Sequence, residues 1–181
     1  SYLPLLASLP ALYRGERVVA QPVDGTAEWH VNRRLNVAAS AAAHRRYFAD
    51  ADEIFVELFD REPLDDQPRF VADMGCGDGS WLIHLHRLVG ERTLRGRHLD
   101  THPLGIVGID LNPAALDAAR ANLADAEVPA TLIPGDVADP DALAAALAAH
   151  GLAICDGLHV RAFIDHDRDY VGGDPAVAVT G

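Results

Sequence analysis

The stretch Val71-Ala72-Asp73-Met74-Gly75-Cys76-Gly77-Asp78-Gly79-Ser80-Trp81-Leu82 limits what this chain can fold into more than any other. An apolar run ends at Asp73 and three glycines follow at alternate positions. From there Trp81, Leu82, Leu85, Leu88 and Val89 recur on one face of a helix. Strand, glycine turn and helix in immediate succession open a parallel βαβ unit. Glycine serves where the backbone must turn tightly and where a ligand approaches with no Cβ in the way. The spacing is G-x-G-x-G with an acid two residues ahead, which differs from the G-x-G-x-x-G that cradles a pyrophosphate.

The alternation continues downstream. Ile106 to Ile109 reads as a second strand ending at Asp110. Asn112 then caps a helix over Pro113 to Leu123, with proline at its favoured first position. Ala130 to Ile133 is a third strand, Asp139-Pro140 starts a helix through Ala149, and a fourth strand begins at Leu152. The pattern βαβαβαβ predicts an α/β fold, a doubly wound Rossmann-like sheet with right-handed crossovers. Upstream, residues 1–25 read as loop-rich, with a short strand at Arg17 to Ala20. Leu35, Ala38, Ala39, Ala42 and Ala43, then Tyr47, Phe48, Ile54, Phe55, Leu58 and Phe59, repeat at helical spacing and predict two helices. Pro63 and Pro68 flank an acidic turn that separates them from the sheet. The division is thus a helical cap over residues 1–68 and an α/β core over 69–181.

Ligands of such sheets sit at the carboxyl ends of the strands. Asp73 with Gly75, Cys76 and Gly77 closes the first strand, Asp110 and Leu111 the second, Asp136 and Val137 the third. An acid at Asp73 repels a pyrophosphate and welcomes an ammonium. The ligand that fits is S-adenosylmethionine, which carries an amino acid tail and a sulfonium but no phosphate. Asp110 is placed for a ribose diol. It follows Gly75 by 35 positions, longer than the roughly 20 usual there, and the excess is read as an inserted loop from Glu91 to Gly105. Asp136 is placed for the adenine amino group, and the next N–H, that of Val137, for a ring nitrogen. Each acid alone is equally a turn or capping residue. Three in order, each at a strand end, are much less a coincidence.

Composition removes other classes. A net charge of −12 in 181 residues argues against a phosphate-backbone partner, DNA or RNA. No apolar run is long enough to span a bilayer, and the first dozen residues, broken by Pro4 and Pro10 with no basic leader, do not read as a signal peptide. Two cysteines, Cys76 and Cys155, make no disulfide framework, and a cytoplasmic setting is expected from that. Cys155 is expected to point into the core from the fourth strand.

Through Asp73 to Gly79, Gly108-Ile109-Asp110-Leu111-Asn112 and Gly135-Asp136-Val137, the chain resembles the class I S-adenosylmethionine-dependent methyltransferases. Four further segments look like the C-methyltransferase domains of polyketide synthase loading modules. They are His30 to Val37, Ala43-His44-Arg45-Arg46-Tyr47-Phe48, Thr93-Leu94-Arg95-Gly96 with His102-Pro103, and Val160 to Arg168. That resemblance implies methylation of a malonyl-type acyl group on an acyl carrier protein, neighbouring polyketide synthase domains as partners and, in some members, a mononuclear iron. An iron or manganese ion bound to the acceptor's oxygens stabilises an enolate as a Lewis acid. Asp165-His166-Asp167 comes after the fourth strand, and His166, as metal ligand or general base, is the first candidate there, with Asp165 beside it. His44, on the cap, is a weaker candidate. His84 and His86 read as surface residues, and His98 and His102 as loop residues.

A sheet of that class has seven strands and only four are legible before Tyr170, so the remaining strands are expected outside this sequence. Two other readings stay open. A small-metabolite O- or N-methyltransferase needs no metal, and an inactive scaffold domain binds no donor.

Overall fold

The computed structural model describes residues 3–16 and 33–162. Its centre is a four-stranded, all-parallel sheet of β1 (Phe70–Met74), β2 (Gly105–Asp110), β3 (Thr131–Pro134) and β4 (Gly157–Val160), in the order β3-β2-β1-β4. The chain winds outward from β1 to β3 and returns to the far side of β1 for β4. The reversal between β1 and β4 is a topological switch point, where ligands of such sheets bind.

The helices are α1 (Leu3–Tyr13), α2 (Arg33–His44), α3 (Asp52–Phe59), α4 (Ser80–Arg92), α5 (Pro113–Asp125) and α6 (Pro140–Ala149). One face of the sheet packs Val71 and Ile106 against Phe55 and Phe59 of α3, Leu82, Leu85 and Val89 of α4, and Leu116, Ala119 and Leu123 of α5. The other packs Phe70, Ala72, Val107, Ile109 and Ile133 against Leu143 and Leu147 of α6. Alternate residues of β1 serve opposite faces, as strand geometry requires. Both are apolar because both are covered. Gly108 keeps the layers close, since a Cβ there would lie 2.7 Å from Leu132 Cδ2 and 3.0 Å from Cys76 Sγ.

The helix starts are written in the side chains. Asn112 Oδ1 accepts the N–H of Ala114 at 3.0 Å and Asp139 Oδ1 that of Ala142 at 3.0 Å, each ahead of a proline.

Three expectations change. Residues 3–13 form a helix, not a loop. Pro4 falls in the first turn, where an N–H has no intrahelical partner anyway, and only Pro10 interrupts the interior. The strand expected at Arg17 to Ala20 lies outside the described residues. The two helices expected before the sheet are α2 and α3, and Leu35, Ala38, Ala39, Ala42 and Ala43 of α2 are exposed. A 3-10 turn, Arg45–Ala51, bridges α2 to α3 and buries Phe48. Glu91 and Arg92 belong to α4, and the insertion after them is folded. Arg95, 3% exposed, donates through Nη1 to Leu64 O (3.1 Å) and through Nη2 to Pro103 O (2.9 Å), tying the insertion to the turn before β1. Finally, β4 starts at Gly157 rather than Leu152. A 3-10 turn, Ile154–Asp156, precedes it, and Cys155 in that turn is exposed, not in the core.

Candidate functional site

At the carboxyl ends of β1 and β2 lies a cavity of about 840 Å³. Its floor carries Asp73, Gly75, Cys76 and Gly77 after β1, Asp110, Leu111 and Asn112 after β2, and Gly135, Asp136 and Val137 after β3. Every residue expected to hold the cofactor from these three strands therefore lines one space. A second cavity of about 700 Å³ lies at the opposite, amino ends of β2 and β3, around Arg69, Arg95 and His102, away from the glycine loop.

The loop bends as its glycines allow. Gly75, Gly77 and Gly79 have φ of 84°, 56° and 74°, the left-handed region open to glycine. Its conformation is closed by its own hydrogen bonds. Gly75 and Cys76 donate to Ile109 O (2.7 and 3.0 Å), Gly77 to Asp110 Oδ2 (3.0 Å) and Gly79 to Cys76 O (2.9 Å). Asp110 Oδ1 accepts from Asn112 N at 2.8 Å, so the carboxylate is held rigidly between the loop and the start of α5.

Asp73 is 2% exposed and its Oδ1 has no hydrogen-bond partner. Burial first, and then the neighbouring Asp110, push its pKa from 3.8 up to about 7. A buried carboxyl with an unpaired oxygen is costly unless something supplies a donor or a positive charge. Burial, with Asp73 and Asp110 nearby, likewise pushes the Cys76 thiol up, so it stays a neutral wall group. Asp136 Oδ1 takes the N–H of Ala138 (2.8 Å) and shapes its own turn, while the residue still borders the cavity.

The roof comes from the cap. Asn36, Ser40 and His44, at i, i+4 and i+8, form one line along α2, and Val37, Ala41 and Phe48 flank them. Arg45 ties this roof down, with Nη2 2.9 Å from Ser80 Oγ and 3.4 Å from Asp78 Oδ2. Trp81 and Arg161 complete the wall. The sequence reading missed Asn36, Ser40, Asp78 and Trp81. The first two were legible as a polar line opposite the alanine stripe. Asp78 and Trp81 belong to the glycine motif itself.

Among the other histidines, His84 is not a plain surface residue. Its Nε2 lies 2.6 Å from Asp52 Oδ1 and its ring packs on Phe48, which fastens the cap to α4. His102 lies 3.5 Å from Asp65 in the loop before β2. Asp165 and His166 lie outside the described residues. Among the described residues no group of three or more His, Cys, Asp or Glu side chains is placed to hold a metal ion. No described helix is long and apolar enough to cross a membrane.

S-adenosylmethionine suits the residues present. Its ammonium would answer the unpaired Asp73 oxygen, and Asp110, Asp136 and Val137 are the residues that would hold its nucleoside. No curated protein matches the chain. Solved structures similar to it include the plantazolicin methyltransferase BamL in complex with a triazolic desmethylPZN analog and SAH (17% identity, TM-score 0.38, 60% of this chain and 35% of that one). Others are the plantazolicin methyltransferase BpumL with SAH (17%, 0.37, 58% and 35%) and a SAM-dependent methyltransferase from Thiobacillus denitrificans with S-adenosyl-L-homocysteine (21%, 0.36, 60% and 38%). The chain thus spans little more than a third of their length. The family model of the AprA MT2-like domain matches residues 28–178, across the cap, the sheet and the segment after β4. By that match the chain belongs to the AprA MT2-like family of methyltransferase domains.

Proposed function

We propose that this chain is the donor-binding portion of an S-adenosylmethionine-dependent C-methyltransferase whose acceptor is a malonyl-type acyl group on an acyl carrier protein. The observation that carries the donor is the buried carboxyl of Asp73 at the glycine loop, whose Oδ1 has no hydrogen-bond partner. The acceptor and its partners, a carrier protein and neighbouring polyketide synthase domains, are supported by the sequence resemblance at His30 to Val37, Ala43 to Phe48, Thr93 to Gly96 and Val160 to Arg168. Two free cysteines, Cys76 and Cys155, suit a reducing, cytoplasmic setting.

Methyl transfer is an in-line displacement in which the acceptor carbon attacks as the C–S bond breaks, leaving S-adenosylhomocysteine. The protein's work is chiefly positioning. Asp73 would anchor the ammonium and Asp110 the ribose, and the glycine loop leaves no Cβ in the way of the bound donor. In this reading Asp165 and His166 would hold an iron or manganese ion that supplies Lewis-acid stabilisation of the acceptor, or His166 would serve as general base.

Mass spectrometry of malonyl-loaded carrier protein, incubated with the full-length protein and S-adenosylmethionine, is expected to show a gain of one or two methyl groups. Methylation of free small metabolites with no change in the loaded carrier would instead establish the small-metabolite O- or N-methyltransferase reading.

A further inference from the structure

We propose that the cavity at the amino ends of β2 and β3 binds a small organic anion, a carboxylate or phosphate monoester on an apolar body, with Arg69 as its direct contact and the buried charge of Arg95 behind it. The site lies at the opposite end of the sheet from the donor cavity and does not depend on the donor reading.

Charge separates the two cavities of this acidic chain. Asp73, Asp78, Asp110 and Asp136 border the one above the glycine loop. Arg69, Arg95 and His102 border the other, where Asp65 is the one acid among the lining residues. Arg95 is 3% exposed, and its partners are Leu64 O, Pro103 O and, at 3.4 Å, Gln67 Oε1, all of them neutral, while its Nε has none. A guanidinium stays charged at any ordinary pH, so burial here leaves a cation with no carboxylate at ion-pair distance among the described residues. Burial pulls the Arg95 pKa below the ordinary arginine value, Asp65 opposes that, and the neighbouring Arg69 pushes it further down. Two like charges thus converge on one space, and an anion in that space offsets both the burial and the repulsion.

Arg69 is the group positioned to meet such an anion. Its backbone is pinned at the start of β1, where its N–H donates to Asp156 O (2.8 Å) and its O accepts from Gly105 N (2.9 Å). Its side chain is exposed, and among the described residues its guanidinium has neither a hydrogen bond nor an ion pair. The planar fork of N–H donors is therefore uncommitted at the edge of the cavity, and such a fork grips a carboxylate or a phosphate in two parallel bonds. Asp65 stays in solvent, its side chain 88% exposed, and lies 3.5 Å from His102 Nε2. The other nitrogen of that ring is 3.0 Å from Thr101 Oγ1, so the imidazole is held in place. Leu64, Leu104, Pro129 and Leu152 make the rest of the wall apolar, and about 700 Å³ is the room of a small-molecule site, which suits an apolar body behind the anionic head. S-adenosylmethionine, with its cationic sulfonium, is repelled here.

Calorimetry on the full-length protein with sodium octanoate and with phenyl phosphate tests this, octanamide serving as the uncharged control. Saturable binding of one or both anions is expected at about millimolar or tighter, with octanamide weaker by about tenfold or more, and the tighter anion identifies the head group. Arg69→Gln, at an exposed side chain with no partner to lose, is expected to fold as the wild type does and to lose about tenfold or more of the anion affinity. Saturating S-adenosylhomocysteine is expected to leave anion binding unchanged. No saturable binding of either anion, equal binding of octanamide, an Arg69→Gln variant that binds as the wild type does, or displacement of the anion by S-adenosylhomocysteine would each overturn the assignment.

Discussion

Asp110, at the end of β2, accepts the N–H of Gly77 on the loop after β1 at 3.0 Å, so the carboxylate proposed to hold the ribose also holds the shape of the glycine loop. Removing it is expected to damage both tasks. Asp110→Ala is expected to weaken S-adenosylhomocysteine binding by about 10- to 150-fold, matching the roughly 1.5–3 kcal/mol of hydrogen bonds to a charged group. Calorimetry on the variant reads this directly, and an unchanged dissociation constant would remove Asp110 from the site.

Asp73 is expected to make donor binding pH-dependent. Its carboxyl, raised to about 7 by burial and by Asp110, is increasingly protonated below neutral pH, while the donor's ammonium favours the ionised form. Affinity is therefore expected to rise between about pH 5.5 and 7.5, with proton release on binding at the acid end. Titrations in buffers of different ionisation heat measure that release. Asp73→Asn should bind weakly and show no such trend.

The same residue sets a stability trend without ligand. The folded state keeps the Asp73 proton up to about pH 7, whereas the unfolded chain loses it near 3.8. Stability is thus lost as pH rises through that window, by up to roughly 4 kcal/mol in the limit. Urea midpoints of wild type and Asp73→Asn between pH 5 and 7.5 should diverge, the variant gaining relative stability as pH rises. Parallel curves would mean that Asp73 is not held protonated in the fold.

Arg95 gives the contrasting case. It lies at the amino ends of the strands and ties the insertion to the turn before β1 through Leu64 O and Pro103 O. Arg95→Met removes its hydrogen bonds to these part-buried carbonyls and is expected to cost about 1.5–3 kcal/mol of stability, the range for hydrogen bonds to a charged group. Affinity for S-adenosylhomocysteine should hold. A donor affinity that falls with little loss of stability would show coupling between the two ends of the sheet.

The chain made its core plain where local and tertiary demands agree. Phe70, Val71 and Ala72 are apolar where the two covered sheet faces bury them, and Asn112-Pro113 and Asp139-Pro140 carry the start of a helix in the side chains themselves. The glycine loop was legible because its backbone admits few other residues. The roof was harder to see. Alanine at Ala38, Ala39 and Ala42 looks like a buried stripe by period, yet what α2 turns toward the cavity is the polar line opposite, and periodicity alone does not say which face a ligand occupies. Arg95 was equally hidden, because an arginine in a long insertion reads as solvated until the carbonyls it binds are known. Cys155 was misplaced for a related reason: the turn at Ile154–Asp156 depends on Asp156 N bonding Ala153 O, and apolar sequence there looked like strand.

The central claim is that the cavity above β1 and β2 binds S-adenosylmethionine. Calorimetric titration of the full-length protein with S-adenosylhomocysteine at pH 7.5 tests it most directly. One molecule bound per chain, with affinity that falls in Asp110→Ala and in Asp73→Asn, is the result expected. No binding heat from the folded protein, or binding indifferent to both substitutions, would contradict it.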